Sequence, residues 1–228
     1  AAHELRTPLA VMQTNLEVFA RKKTPTIEEY QDIFGMIQNQ TERLSHLSEV
    51  LLDMTGIQSV ERSDFISLAE LTDEVCCDLA SIADQKKVEL IQEEGDCTVT
   101  GSYLLLYRAV YNLVENSIKY NHSGGKVTVK ISQKKDLPAA HSKPTDYALV
   151  EVTDTGIGIS PEFQEKIFDP FFRVDKSRSR AMGGAGLGLA LVAEIARQHG
   201  GQVKVLASSK KGSTIALMLP INSPLIEI

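Results

Sequence analysis

The first residues able to do chemistry are His3-Glu4-Leu5-Arg6-Thr7-Pro8. At 100° per residue, a helix through this segment points Leu5, Leu9 and Met12 one way and His3 nearly the opposite way. Thr7, one turn on, shares the histidine's face. His3 is therefore expected at the surface. An exposed imidazole is a nucleophile near neutral pH when a carboxylate holds its second nitrogen, and Glu4 is placed to do that. Pro8 has no N–H to offer the Glu4 carbonyl, so the helix is expected to loosen beside the histidine. An isolated His-Glu pair more often has no role, so its weight depends on the rest of the chain.

Three later groups supply that context. In Asn112-Leu113-Val114-Glu115-Asn116-Ser117-Ile118-Lys119-Tyr120, the residues Asn112, Glu115, Asn116 and Lys119 recur at three- and four-residue spacings. One helical face then presents two amides, a carboxylate and an ammonium. Amide oxygens suit a magnesium ion that already carries phosphate oxygens and waters, and a lysine suits the phosphates. A solvated polar face would read the same way if the segment stood alone. Asp154-Thr155-Gly156-Ile157-Gly158-Ile159 directly follows a strand-like run. A carboxylate at the mouth of a sheet can accept from the exocyclic amine of adenine, and glycines let backbone come close; alone, the pattern could be a turn and nothing more. Gly183-Gly184-Ala185-Gly186-Leu187-Gly188-Leu189 runs into a helical pattern, and the free N–H groups of a helix N-terminus form an anion site. It lacks the Gly-Lys-Ser/Thr ending of a Walker loop and does not follow a first strand as a dinucleotide-binding turn does.

These groups need elements to hold them. Leu5, Leu9, Met12, Leu16 and Phe19 recur at alternating four- and three-residue spacing, a heptad seam over Ala2 to about Lys23. After Thr24-Pro25-Thr26, with Pro25 expected in the first turn and Glu28-Glu29 suiting the positive end, a second helix is expected to about Gly56. Its stripe is Ile37, Leu44, Leu47, Leu51 and Met54. Two such helices fold back as a hairpin that cannot cover its own apolar surface, whereas a second copy can, giving a four-helix dimer. Val60 to Phe65 is the expected linker. Ser67 caps a helix running to about Lys87, short β-rich runs cover Val88 to Gln92 and Cys97 to Thr100, and a strong helix spans Tyr103 to Tyr120. Strands are expected over Lys126 to Ser132 and Tyr147 to Thr153, with a Pro-containing loop, Leu137 to Asp146, between them. Thr155 to Gly186 is rich in Gly, Ser and charge and is expected to be a lid or without structure. A helix over Leu187 to Gln198 and a terminal hairpin, Gln202 to Ala207 with Ser213 to Leu219, complete the chain.

The bulk numbers narrow the class. At 228 residues, one or two domains are expected. Hydrophobic residues at 43% and charged residues at 24% suit a globular protein with a real core and exclude global disorder. A net charge of −6 argues against coating nucleic acid, which requires clustered Lys and Arg. The three cysteines, Cys76, Cys77 and Cys97, have neither metal-ligand spacing nor an even count and are expected as buried thiols in a reducing compartment. No run approaches the roughly 20 apolar residues that span a bilayer.

The order of these groups, with Phe168-Asp169-Pro170-Phe171-Phe172-Arg173 between the Asp-Gly-Gly turn and the glycine loop, resembles the sensor histidine kinases of two-component systems. His3 to Pro8 is similar to their H box, Asn112 to Tyr120 to their N box, Asp154 to Ile159 to their G1 box, Phe168 to Arg173 to their F box, and Gly184 to Leu189 to their G2 box. The resemblance covers His3 to about Pro220. It implies an α+β multidomain chain: a helical hairpin, residues 1–62, that forms a dimeric four-helix bundle, then an α/β sandwich ATP-binding domain with a mixed sheet and a lid, residues 63–228. It implies ATP and Mg2+ as cofactors, phosphorylation of His3 with Glu4 as general base, and onward transfer to an aspartate of a response-regulator receiver domain. The Glu4 and Thr7 pattern is similar to that of kinases that also dephosphorylate their regulator, with Thr7 positioning the water.

Carried onto this sequence, the resemblance makes Asp154 the partner of the adenine amine and Asn116 the magnesium ligand. Asn112, Lys119 and Tyr120 line the nucleotide, as do Gly156, Gly158 and Phe168. The backbone at Gly184, Gly186, Leu187, Gly188 and Leu189 wraps the phosphates, and Arg173, Lys176, Arg178 and Arg180 are cationic contacts. It also implies a homodimer and a cytoplasmic fragment of a protein anchored in the membrane only through a segment outside this chain. A gyrase- or mismatch-repair-class ATPase would share the nucleotide chemistry but has no use for His-Glu-x-x-Thr-Pro on a seam helix. A non-catalytic scaffold has no need of Asn116, Asp154 and the glycines together.

Overall fold

The computed structural model describes residues 2–56, 60–135, 146–174 and 186–221. Helices α1 (Ala2–Ala20) and α2 (Ile27–Gly56) form the hairpin, α1 running on through Pro8. The start of α2 is set by a reciprocal cap. Thr26 Oγ1 accepts the Glu29 N–H at 3.2 Å, and Glu29 Oε2 accepts the Thr26 N–H at 3.0 Å. Lys22 adds an ion pair to the other Glu29 oxygen at 2.5 Å. Pro25 therefore lies ahead of the helix, not in its first turn as expected, because Thr26 takes the capping place. Phe19 meets Tyr30 edge to face with centroids 5.0 Å apart, which fixes how the two helices face each other. Seam residues Leu9 and Leu16 remain 52% and 45% exposed, and Phe34 of α2 is 66% exposed. No helix among the described residues is long and apolar enough to cross a membrane.

Beyond the hairpin come β1 (Asp64–Ser67), α3 (Leu68–Lys86), β2 (Glu89–Gln92), β3 (Thr98–Gly101), α4 (Tyr103–Lys119), β4 (Lys126–Lys135), β5 (Asp146–Asp154), α5 (Gly188–Gln198), β6 (Gln202–Ser209) and β7 (Gly212–Pro220). Strands β2, β4, β5, β7 and β6 form one mixed sheet in that order, parallel only between β2 and β4. Alternation along β4 explains its layering: Val127, Val129 and Ile131 are buried, while Lys126 and Lys130 face solvent. The buried face carries α3, α4 and α5, with α4 packed between the other two. Leu71, Val75 and Leu79 of α3, Leu106, Val110, Leu113 and Ile118 of α4, and Val192 and Ile195 of α5 meet Val150, Val152, Ile215 and Leu217 of the sheet. Each such side chain contributes about 1.5–3 kcal/mol by leaving water.

The caps explain where these helices stand. Ser67 Oγ accepts the Glu70 N–H at 3.2 Å, and Asp96 Oδ1 accepts the Ala69 N–H at 3.0 Å, so α3 starts where the serine predicts. Ser102 makes no such bond for α4. Instead Asp64 Oδ2 accepts the Tyr103 N–H at 3.1 Å, and His199 Nε2 accepts the Ser102 N–H at 3.1 Å. The His199 Nδ1–H donates to the Ile195 carbonyl at 2.8 Å, which defines the neutral tautomer.

Three further expectations need correction. The linker does not extend to Phe65: β1 begins at Asp64, because a distant strand, β3, supplies its ladder partners. The stretch after Asp154 is not bare connection in its described part, residues 155–174. It holds 3-10 turns at Pro161–Phe163 and Lys166–Phe168, anchored by buried Ile167. Finally, of the three thiols only Cys97 is buried; Cys76 is half-buried and Cys77 is exposed on α3. Residues 137–145 of the expected loop lie outside the described residues, and Asp146, expected as its last residue, already belongs to β5.

Candidate active site

The middle helix carries the polar face. Asn112 Nδ2 donates to the Arg108 carbonyl at 2.8 Å and Asn116 Nδ2 to the Asn112 carbonyl at 2.7 Å. Both amide groups thus spend their donors along the helix, and no hydrogen bond among the described residues occupies either Oδ1. Asn112, Glu115, Asn116, Lys119 and Tyr120 are all half-buried. Burial pulls the Lys119 ammonium below its usual pKa; Glu115 opposes this and Arg173 adds to it. That cation is incompletely solvated, and an incoming anion would relieve it.

Against this face stands the start of α5. A Cβ on Gly188 would lie 2.6 Å from Asn112 Oδ1 and 3.4 Å from Asn116 Nδ2, so only glycine lets the helix N-terminus approach the amides this closely. The first-turn N–H groups have no partner inside the helix and point out of its start. Gly186 takes φ 73°, and a Cβ there would meet the Phe172 carbonyl at 2.8 Å and Arg173 Cγ at 3.1 Å. Phe171, itself at φ 66°, donates its N–H to the Gly186 carbonyl at 2.8 Å. The aromatic stretch is thus seated on the end of the glycine loop. Phe172 also packs on Phe163 with centroids 5.7 Å apart, and Phe168 is half-buried against the core. Leu187 is buried and Leu189 half-buried, anchoring α5.

Asp154 is the last residue of β5. Its Oδ1 accepts the Gly156 N–H at 2.8 Å. Burial raises its pKa above the usual carboxylate range, while the backbone N–H groups of Gly156 and Ser213 pull it back down. A half-buried carboxylate with one edge fixed by backbone retains acceptor capacity for a donor outside. Gly158, at φ 71°, lies so close to the Ser209 carbonyl that no Cβ fits.

The fold thus sets Gly188 against Asn112 and Asn116, Gly186 against Arg173, Arg173 within electrostatic reach of Lys119, and Gly156 against Tyr120 and Asp154, while Leu187 and Leu189 anchor α5, Phe168 packs on the core and Gly158 lies against Ser209. His3, Glu4 and Thr7 stand on α1; Thr7 is half-buried, and the side chains of His3 and Glu4 lie outside the described residues. Gly184 and the cations Lys176, Arg178 and Arg180 also lie outside them. Among the described residues no group of three or more His, Cys, Asp or Glu could hold a metal; the α4 face offers the amide oxygens of Asn112 and Asn116 and the Glu115 carboxylate. Two supports escaped the sequence reading. Lys86, at the end of α3, donates its ammonium to the Ile118 carbonyl at 3.0 Å and to the Lys119 carbonyl, capping α4 from a neighbouring helix. Asn121, just past α4, binds the Asp154 turn. A turn-forming residue after a helix was the only local signal for it.

A family model described as "Histidine kinase-, DNA gyrase B-, and HSP90-like ATPase" matches residues 101–223, and one described as "His Kinase A (phospho-acceptor) domain" matches residues 1–59. The chain belongs to this ATPase family and, with the phospho-acceptor region ahead of it, to the catalytic cores of two-component sensor histidine kinases. The sensor histidine kinase RppB of Synechocystis sp. is 32% identical over 98% of this chain and 48% of its own length. The sensor histidine kinase WalK of Bacillus subtilis is 31% identical over 96% of the chain and 35% of its own. The chain thus spans half or less of these relatives. In fold it is similar to the Acinetobacter baumannii histidine kinase AdeS, at a TM-score of 0.69 and 22% identity over 97% of this chain and 98% of that one. It is also similar to histidine kinase ThkA, solved in complex with response regulator protein TrrA, at a TM-score of 0.68 and 22% identity over 97% and 60%.

Proposed function

We propose that the chain binds ATP in its second half, phosphorylates His3, and hands the phosphoryl group to an aspartate of a response-regulator receiver domain. The observation that carries the reading is the apposition of Asn112 and Asn116 with Gly188, which sets the Asn112 amide oxygen and the Asn116 amide group beside a bare helix N-terminus. Phosphoryl transfer asks a protein for in-line placement and charge stabilisation more than for covalent chemistry. The donors present suit that demand. Asp154 accepts the adenine amine, Lys119 and Arg173 face the phosphates, and the N–H groups at Gly186 to Leu189 hold their oxygens. Asn112, Tyr120 and Phe168 bound the nucleotide. The unused Asn116 Oδ1 is a hard oxygen fit for Mg2+, which when bound neutralises charge on the β- and γ-phosphates.

His3 then attacks the γ-phosphorus as its bond to ADP breaks, and Glu4 takes the imidazole proton. Thr7 orients water when the phosphorylated regulator is hydrolysed. The exposed seam at Leu9 and Leu16 supports pairing of two hairpins into a four-helix bundle, and we place the domain boundary near Arg62. The whole protein is proposed to be membrane-anchored through a segment outside this chain.

The test is incubation with labelled Mg-ATP. Asn116→Ala is expected to abolish labelling while circular dichroism keeps the helical signal; undiminished labelling would remove Asn116 from the metal site.

A further inference from the structure

The joint between α4 and the Asp154 turn is closed by Asn121, to which the mechanism assigns no part. The residue is 8% exposed, and its side chain reaches three segments. Nδ2 donates to the Lys126 carbonyl at 3.0 Å; Oδ1 accepts the His122 N–H at 3.0 Å and the Thr155 hydroxyl at 3.2 Å. Thr155 is tied in turn: its Oγ1 accepts the Lys126 N–H at 2.8 Å, and its own N–H donates to the Lys126 carbonyl at 3.1 Å. One amide therefore joins the end of α4, the first residue of β4, and the residue after Asp154. A buried amide whose donor and acceptor are both used resists displacement, because any shift leaves polar groups unpaired away from water.

The tie bears on Asp154 through Gly156. Of the two backbone N–H groups that orient the carboxylate, those of Gly156 and Ser213, the first belongs to a glycine whose Cβ, if present, would lie 2.5 Å from the Tyr120 carbonyl and 3.1 Å from Asn121 Cα. The Ile157 N–H reaches the same Tyr120 carbonyl at 3.3 Å. The turn thus rests on the segment that Asn121 fixes.

We infer that Asn121 is a positioning residue which, through Thr155 and Gly156, holds the Asp154 carboxylate at the angle that recognises an adenine amine, and so sets base selectivity. The inference rests on the adenine role proposed for Asp154. It is tested by calorimetric titration of the full chain, with magnesium, against ATP and inosine triphosphate, in which a carbonyl replaces the amine. Thermal melts follow each variant. The unsubstituted chain is expected to prefer ATP by ~10-fold or more, the worth of one charge-assisted hydrogen bond. Asn121→Ala and Thr155→Val should collapse that ratio toward unity. Asn121→Asp, which keeps the acceptor and loses the donor to Lys126, should retain part of it. If Asn121→Ala does not fold, Thr155→Val carries the test. Variants that weaken both nucleotides equally and keep the ratio would overturn the inference and leave Asn121 a merely structural group. A parent chain that does not discriminate would overturn the Asp154 reading first, a result visible before any variant is made.

Discussion

Replacing Gly188 by Ala separates stability from function at the point where α4 and α5 meet. On stability alone the change should be harmless, since alanine is favoured over glycine within a helix by up to ~1 kcal/mol. Against that gain, the new Cβ would sit 2.6 Å from Asn112 Oδ1, well inside ordinary contact distance. The amide escapes by rotating, which breaks its 2.8 Å bond to the Arg108 carbonyl at a cost of ~1 kcal/mol. The two effects nearly cancel, so the melting temperature should move by no more than about 2–4 °C, the shift expected for 1 kcal/mol in a domain of about 150–250 residues. Nucleotide binding has no such compensation. The Asn112 oxygen leaves the helix N-terminus, and losing one such polar contact to the nucleotide costs ~10-fold or more. Titration with Mg-ATP and a thermal melt on the same preparation read both quantities. Affinity unchanged in Gly188→Ala would refute the claim that this close approach serves the phosphates.

Acid should loosen the molecule through His199. Its imidazole is held below the ordinary histidine pKa chiefly by burial, with the Arg62 charge adding and the Ile195 bond opposing. The unfolded chain therefore takes up a proton that the native state refuses. The resulting stability is complete above the unfolded pKa of about 6.5 and is lost as pH falls toward the lower native value. Urea unfolding at pH 7.5 and 5.5 should show a decline that His199→Gln flattens; an equal decline in the variant would acquit the histidine. Leu113→Ala, at a buried site in the middle helix, should cost ~2–5 kcal/mol, read from chemical unfolding. Leu9→Glu with Leu16→Glu should give a monomer in sedimentation while ATP affinity is kept, and an unaltered dimer would remove the seam from the interface.

Much of this organisation was legible before any coordinates, because period and punctuation are local properties. The seam of α1, the Ser67 cap and the alternation of β4 each announce their element within a few residues. The chemistry-bearing groups could be read for the same reason: each lies within a short contiguous stretch. What escaped depends on distant partners. β1 is a strand only because Thr98–Gly101 lies beside it, and the start of α4 is held by Asp64 and His199 rather than by Ser102. Lys86 and Asn121 stayed invisible because their tasks, closing the end of α4 and seating the Asp154 turn, arise from tertiary packing.

The central claim is that the imidazole on α1 receives a phosphoryl group from ATP held between α4 and α5. Mass spectrometry at neutral pH after incubation with Mg-ATP tests it most directly. The account predicts the added phosphate on His3, labile to acid and absent in His3→Gln. Phosphate on a serine or threonine with His3 unmodified would contradict it.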